Sequence, residues 1–404
     1  MRTVNDHLQA CLSAVGQLPP LAVQLPDAVG CVLAEDVRAP SDLPVADLAA
    51  LDGYALRAAD VAGADRGPVR LRVMDEVRAG ASDAVTLVPG SVVRIASGAP
   101  LPRGADAVVP LEGTDQGDAV VAVLRAVAAG VNVRPRAIDT RSGDIVLAAG
   151  ERVGARQVAL LAAVGRGRVL VHPRPRVVIV SVGDELVEPG TPAQSGQVFD
   201  ANGHALATGV QDAGAVALRV GAVPDRRPEL RETLEDQLVR ADLVITTGGL
   251  SNGSNDTVRD VVGSMGSVRF DNVAIAPGRR FGVGHVGELG ERTPVFCLPG
   301  DPVAVQVAYE TFVRPALLAM AGYNELYRPA VAARVVTGWE SPVGLRQFVP
   351  ARISGSPSGG YRCEPVGVEG TLSGLAHSNT LAVVPEDVTT VRPGDEVSCL
   401  ILDA

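Results

Sequence analysis

Acidic residues recur after short apolar runs in the second half of the chain. Asp184 and Glu185 follow the run 177–182 directly after Gly183, Asp225 follows 216–223, and Asp301 lies just past 295–298. A fourth run, 243–247, leads through Gly248-Gly249 and a loop of small residues, Ser251 among them, to Asp256, where a helical pattern begins with Val258, Val261 and Val262 on one face. Such runs are short buried strands of the parallel type, so their C-terminal ends share one sheet edge. Single acids there usually cap helices. Four on one edge also suit Mg²⁺, which takes one or two protein carboxylates and completes its shell with water and substrate phosphates. A helix start beside a glycine-rich turn adds free amides that attract anions. The residues alone therefore indicate a phosphorylated or nucleotide-like ligand with a divalent metal.

The elements that must position these residues read as an alternation of strand and helix from Arg176 to about Gly322, the signature of a doubly wound α/β unit. In Leu298-Pro299-Gly300-Asp301-Pro302, the two prolines make a rigid turn, and Pro302 suits the first position of a helix. Before this unit, 1–38 reads as two helical stretches, the second from Pro26-Asp27 through Leu33. A Pro- and Gly-broken, mostly β segment follows, and helical pattern returns at 155–164. The helical stretches at 1–38 and 155–164 are expected to pack together around the β insertion. Short strands with Gly and Pro turns from Arg328 onward suggest a small β-barrel. The expected division is a discontinuous helical domain at 1–40 and 137–172, a β-rich insertion at 41–136, the α/β domain at 173–325 and the barrel at 326–404.

Composition excludes several classes. The 404 residues suffice for several domains, and 47% hydrophobic residues with 20% charged ones describe a globular chain. A net charge of −10 argues against sequence-independent nucleic-acid binding. No apolar run approaches the ~18 residues of a membrane span, and the start, MRTVNDHLQA, lacks the apolar core of a secretory signal. The five cysteines have no CxxC spacing and fit reduced thiols in a cytoplasmic protein. None of the five histidines has a metal-ligand neighbour four residues on, so they are expected at the surface or in caps.

Six motifs in order resemble the molybdopterin molybdenumtransferases, the molybdenum insertases related to the C-terminal domain of gephyrin. They are Leu51-Asp52-Gly53-Tyr54-Ala55, Arg94-Ile95-Ala96-Ser97-Gly98-Ala99-Pro100, Gly104-Ala105-Asp106-Ala107-Val108-Val109, Ser181-Val182-Gly183-Asp184-Glu185-Leu186, Gly248-Gly249-Leu250-Ser251 and the Leu298–Pro302 segment above. The resemblance implies an elongated homodimer that binds adenylylated molybdopterin and molybdate, inserts the metal and releases AMP with Mg²⁺. The adenylyltransferase that makes this substrate is a further implied partner. The implied cleft lies between the α/β domain of one subunit and the β insertion of the other.

Carried over by motif, Asp52 and Ser97 are the contribution of the insertion. Glu185, Asp225 and Asp256 are the catalytic, metal-holding side, with Gly248, Gly249 and Ser251 beside it. Pro299, Asp301 and Pro302 shape the neighbouring loop, and Asp139 is an acidic member near the domain junction. Arg279, Arg280 and Arg346 are the cations for molybdate or phosphate. Splitting a phosphoanhydride needs charge neutralisation on the leaving AMP and a positioned oxyanion more than a protein nucleophile.

The chain departs from the family pattern mainly at anion-side positions. Leu48 and Ala49 replace an amide and a hydroxyl, Ser97 a threonine, Ala276 a lysine and Asp301 an asparagine, while Arg279-Arg280 stands for Lys-Pro. Glu369 aligns with a serine, for which Thr371 could stand in. The alternatives are a diverged paralogue hydrolysing a related pterin or nucleotide phosphoanhydride, and a non-catalytic dimeric scaffold.

Overall fold

The computed structural model describes residues 1–81, 85–250, 256–287, 292–367 and 370–402. Its central sheet has six strands, in the order Val216–Val223, Arg176–Val182, Leu243–Thr247, Thr293–Leu298, Arg280–Val286, Gly266–Asn272. The first four are mutually parallel, so their C-terminal ends do share one edge. Alternate residues serve opposite faces. Val177, Ile179, Leu243 and Ile245 pack with Leu206 and Val210 of the helix Ala201–Asp212. Val178, Val180 and Val244 pack with Leu230 and Leu234 of Arg227–Leu238 and Val258, Val261 and Val262 of Thr257–Met265. Burial on both faces is why these strands read as continuous apolar runs.

The last two strands run otherwise. Gly266–Asn272 and Arg280–Val286 form an antiparallel hairpin on its edge. Their sequences, GSVRFDN and RFGVGHV, interrupt the apolar pattern with glycine and charge because an edge hairpin is not buried on both sides. The long helical pattern 301–320 is Pro302–Ala308 and Arg314–Met320, joined by a π-helical turn at Tyr309–Val313.

The N-terminal reading also needs correction. Val4–Ala14 is a helix, but the stretch 26–33 contains one helical turn, Leu25–Ala28, and a strand, Val32–Leu33. Arg168–His172 pairs with that strand and with Leu21–Gln24 in a small sheet. The helix Ala155–Ala163 contributes Leu161 to the core beneath this sheet. Val4 and Cys11 are instead buried in the core of the α/β unit, and it is the turn Leu25–Ala28 that packs with the returning helix, Ala28 sharing a core with Leu161. His7 and His172 are buried, contrary to the surface expectation; His172 Nδ1 donates to the Leu18 carbonyl at 2.8 Å.

The β insertion is a five-stranded sheet in the order Ala107–Pro110, Gly53–Leu56, Ser91–Ile95, Val69–Val77, Val120–Val123. Towards the C-terminus, Arg346–Ser356 pairs with both Gly360–Pro365 and Thr380–Val384. This closes a five-stranded barrel with Ala330–Val335 and Glu396–Ile401. Ile275–Ala276, between the hairpin strands of the α/β unit, adds a parallel pairing to Arg346-Gln347 and so joins sheet to barrel. All five cysteines are buried and unpaired. Among the described residues no helix is long and apolar enough to cross a membrane.

Candidate active site

The strand-edge acids fall into different classes once their partners are known. Asp301 caps the helix Pro302–Ala308: its Oδ1 accepts from the Ala304 amide at 2.8 Å, and Pro302 is the first helical residue. A carboxylate serves as well as the family's asparagine here, because capping needs only an acceptor oxygen. Asp184 accepts from the Asp225 amide at 3.2 Å. Asp225 and Asp256 differ from both. Each buries an Oδ1 that has no hydrogen-bond partner. Asp256 stands at the N-cap of Thr257–Met265 without making the capping bond. The two lie on adjoining loops, since Thr257 Oγ1 donates to the Asp225 carbonyl at 3.5 Å. A buried carboxylate oxygen left unpaired is costly, by roughly 1–3 kcal/mol or more, unless something absent from the protein satisfies it.

Glu185 does not join them. It is exposed, with its carboxylate folded back over Gly183, where an added Cβ would lie 2.7 Å from Oε2. Among the described residues no three His, Cys, Asp or Glu side chains converge on one point as a ready-made metal cage. One or two carboxylates completed by substrate oxygens are a donor set that Mg²⁺ commonly takes.

The double glycine is required by the protein's own packing. Gly248 and Gly249 have φ of +85° and +64°, and Cβ atoms there would lie 2.3 Å from the Val182 carbonyl oxygen and 2.5 Å from Val258 Cγ2. The loop can then run against the neighbouring strand end. A residue that pattern reading missed locks this region. Asn202 Nδ2 donates to Thr247 Oγ1 at 3.1 Å and to the Gly300 carbonyl at 2.8 Å, while Thr247 Oγ1 donates to the Pro299 carbonyl at 2.7 Å. The loops after two central strands are thereby clamped, and Pro299 acts through its carbonyl. Asp200 was missed too. It is 1% exposed, caps the helix Ala201–Asp212, accepts from Ser181 Oγ at 2.9 Å and pairs with Arg219 at 3.0 Å. Its only sequence signal was an Asp preceding a helical pattern.

The cations separate likewise. Arg280 is half-buried and lines a cavity with Asp256, and Arg279 is exposed on a neighbouring one. Arg346 is committed elsewhere: it pairs with Glu386 at 3.1 Å and donates to Asn5 Oδ1 at 2.9 Å, tying the barrel to the first helix. Its charge is therefore already neutralised. Ala276 sits at the sheet–barrel pairing, half-buried.

In the insertion, Asp52 and Ser97 do meet. The Ser97 amide donates to Asp52 Oδ1 at 2.7 Å, and Ser97 Oγ donates to the Ala50 carbonyl at 3.2 Å. Both are exposed, and no hydrogen bond or ion pair among the described residues links them to the sheet-edge loops. Leu48–Ala49 pairs with Val133–Arg134, and Ala49 is buried in the insertion's second core. Asp139 is exposed, its amide bonded to the Leu43 carbonyl at 3.1 Å in the ribbon leading out of the insertion. Ser251 and Glu369 lie outside the described residues.

These features define an α/β protein with two buried, unpartnered carboxylate oxygens on its sheet edge, joined to a β insertion and a closed barrel. The family profiles that match are the MoeA N-terminal region (domain I and II) over residues 2–165, the probable molybdopterin binding domain over 178–319 and the MoeA C-terminal region (domain IV) over 332–402. The chain is 39% identical to molybdopterin molybdenumtransferase 2 of Mycobacterium tuberculosis, covering 98% of each chain. It is 32% identical to the molybdopterin molybdenumtransferase of Bacillus subtilis, covering 94% of this chain and 89% of the other. A molybdopterin biosynthesis MoeA protein from Pyrococcus horikoshii superposes with a TM-score of 0.83 at 29% identity, covering 100% of this chain and 99% of that one. The chain belongs to the molybdopterin molybdenumtransferase family.

Proposed function

We propose that this protein inserts molybdate into adenylylated molybdopterin, with Mg²⁺-assisted release of AMP. The observation that carries the reading is the pair of buried, unpartnered carboxylate oxygens of Asp225 and Asp256 at the strand edge. Asp225 and Asp256 would hold the Mg²⁺, which when bound offsets phosphate charge. Asn202 and the double glycine hold the loops in register around the substrate's phosphates. Arg279 and Arg280 supply positive charge for the oxyanions, since guanidinium groups bind such oxygens through paired hydrogen bonds. In the reaction a water oxygen bonds to the pterin phosphate phosphorus and gives up a proton to solvent as the bridging P–O bond breaks; AMP leaves with the electron pair of that bond, and its departing charge is met by these cations. Asp52 and Ser97 belong to the other wall of the cleft, contributed by the insertion of a second subunit.

The test is AMP release from adenylylated molybdopterin by purified protein with Mg²⁺, with and without molybdate, beside Asp256→Ala. Release that requires molybdate and Mg²⁺ and fails in the variant is the expected result. Release without molybdate would instead make the protein a phosphoanhydride hydrolase, and none under either condition would return it to the scaffold reading.

A further inference from the structure

We propose that the cavity walled by Arg259 and Arg280 is a subsite for a tetrahedral oxyanion, either free molybdate or the phosphate of the adenylyl group. The inference rests on the function proposed above and assigns the oxyanion's cationic partners, one of which, Arg259, no motif singled out. The cavity, of about 90 Å³, lies between the start of the helix Thr257–Met265 and the edge hairpin. Its small size suits a compact anion, and it adjoins the cavity lined by Arg279 through Asn272 and Arg280.

Charge bookkeeping around the cavity singles out these two arginines. Asp271 lines it, but Arg2 at 3.0 Å and Arg269 at 2.8 Å both pair with this carboxylate, so it does not compete for Arg259 or Arg280. Among the described residues neither Arg259 nor Arg280 makes an ion pair. Among the described residues the one uncommitted carboxylate on the wall is Asp256, whose orphan oxygen calls for a cation of its own. The Arg259 guanidinium stands over the Phe270 ring at 5.9 Å, which holds it against the wall. Phe270 and Phe281 line the same space; Arg259 is exposed and Arg280 half-buried, so an anion can reach both guanidinium groups from solvent. Two guanidinium groups without an ion pair among the described residues suit a tetrahedral oxyanion better than an amine, a metal alone or an apolar ligand. Because Arg346 is neutralised by Glu386 and the family's lysine is Ala276, this pair is where the chain retains uncommitted positive charge beside Asp256.

Calorimetric titration of the full-length protein at low ionic strength tests this, with molybdate alone in one arm and AMP alone in the other. Arg259→Gln and Arg280→Gln should each weaken binding of one of these anions by about tenfold or more, as loss of a charged hydrogen bond does. Arg280→Lys should lose less. Arg231→Gln, which alters the outer face of the helix Arg227–Leu238, should leave binding unchanged. Weakening confined to molybdate identifies the free oxyanion as occupant, and weakening confined to AMP identifies the adenylyl phosphate. The proposal is overturned if both glutamine variants, melting like the unaltered protein, bind both anions as before, or if the unaltered protein binds neither. Because no pterin is used, that failure would leave the AMP-release assay free to decide the function separately.

Discussion

Asp301 and Asp256 begin helices on the same sheet edge, yet they do different work. Asp301 spends its oxygen on the Ala304 amide, whereas Asp256 leaves one buried and unpaired. We therefore expect Asp301→Ala to lower stability by about 1 kcal/mol, the usual worth of an N-cap, and Asp301→Asn to be nearly neutral. Urea unfolding of the three proteins checks this; equal loss in both variants would mean that the negative charge, and not the cap, is what position 301 needs. The motif reading placed Asp301 in the loop beside the metal-holding acids because its neighbours match the family there. The capping bond explains the substitution without appeal to the ligand.

At the scale of elements, the first helix is held by what it buries. His7 is 2% exposed and packs against Phe281 and Phe312, with ring centroids 5.2 and 4.7 Å away. Burial, helped by the nearby Arg2 charge, pushes its pKa from 6.5 down to about 4. The sign follows from proton uptake. Between pH 6.5 and 4 the unfolded chain takes up a proton that the folded one refuses, so stability is full above that window and falls as the pH drops through it. The loss by pH 4 should be on the order of 3 kcal/mol. His7→Phe should remove this part of the acid sensitivity, as read by thermal melting from pH 7 to 4. A slope unchanged in the variant would assign the effect to other groups. Phe281 also lines the cavity beside Asp256, so this helix packs directly behind the candidate site.

At the scale of the whole molecule, the two halves of the proposed cleft sit on different units. Asp52 and Ser97 stand together on the insertion, and Asp225 and Asp256 on adjoining loops of the sheet. If the cleft is completed between subunits, Asp52→Ala and Asp256→Ala should each be inactive alone, while a refolded mixture regains AMP release through hybrid dimers that keep one intact cleft. Failure of the mixture to regain activity, with hybrids shown by mass spectrometry, would place both walls in one chain.

The sequence by itself determined the buried parallel strands, the helices after them and the sheet edge on which the acids gather. Burial on both faces demands unbroken apolar runs, and strand-to-helix turns demand glycine, proline and a capping residue, so these signals are local. The family followed from motifs in order for the same reason. Only the tertiary structure decided which acids are spent and which are open, since Asp301, Asp225 and Asp256 look alike until their partners are known. Tertiary contacts likewise revealed the edge hairpin, the burial of the first helix in the α/β core, the Asn202 clamp and the neutralisation of Arg346 by Glu386. Each depends on contacts between residues far apart in the chain, and those contacts leave no period in the sequence to read.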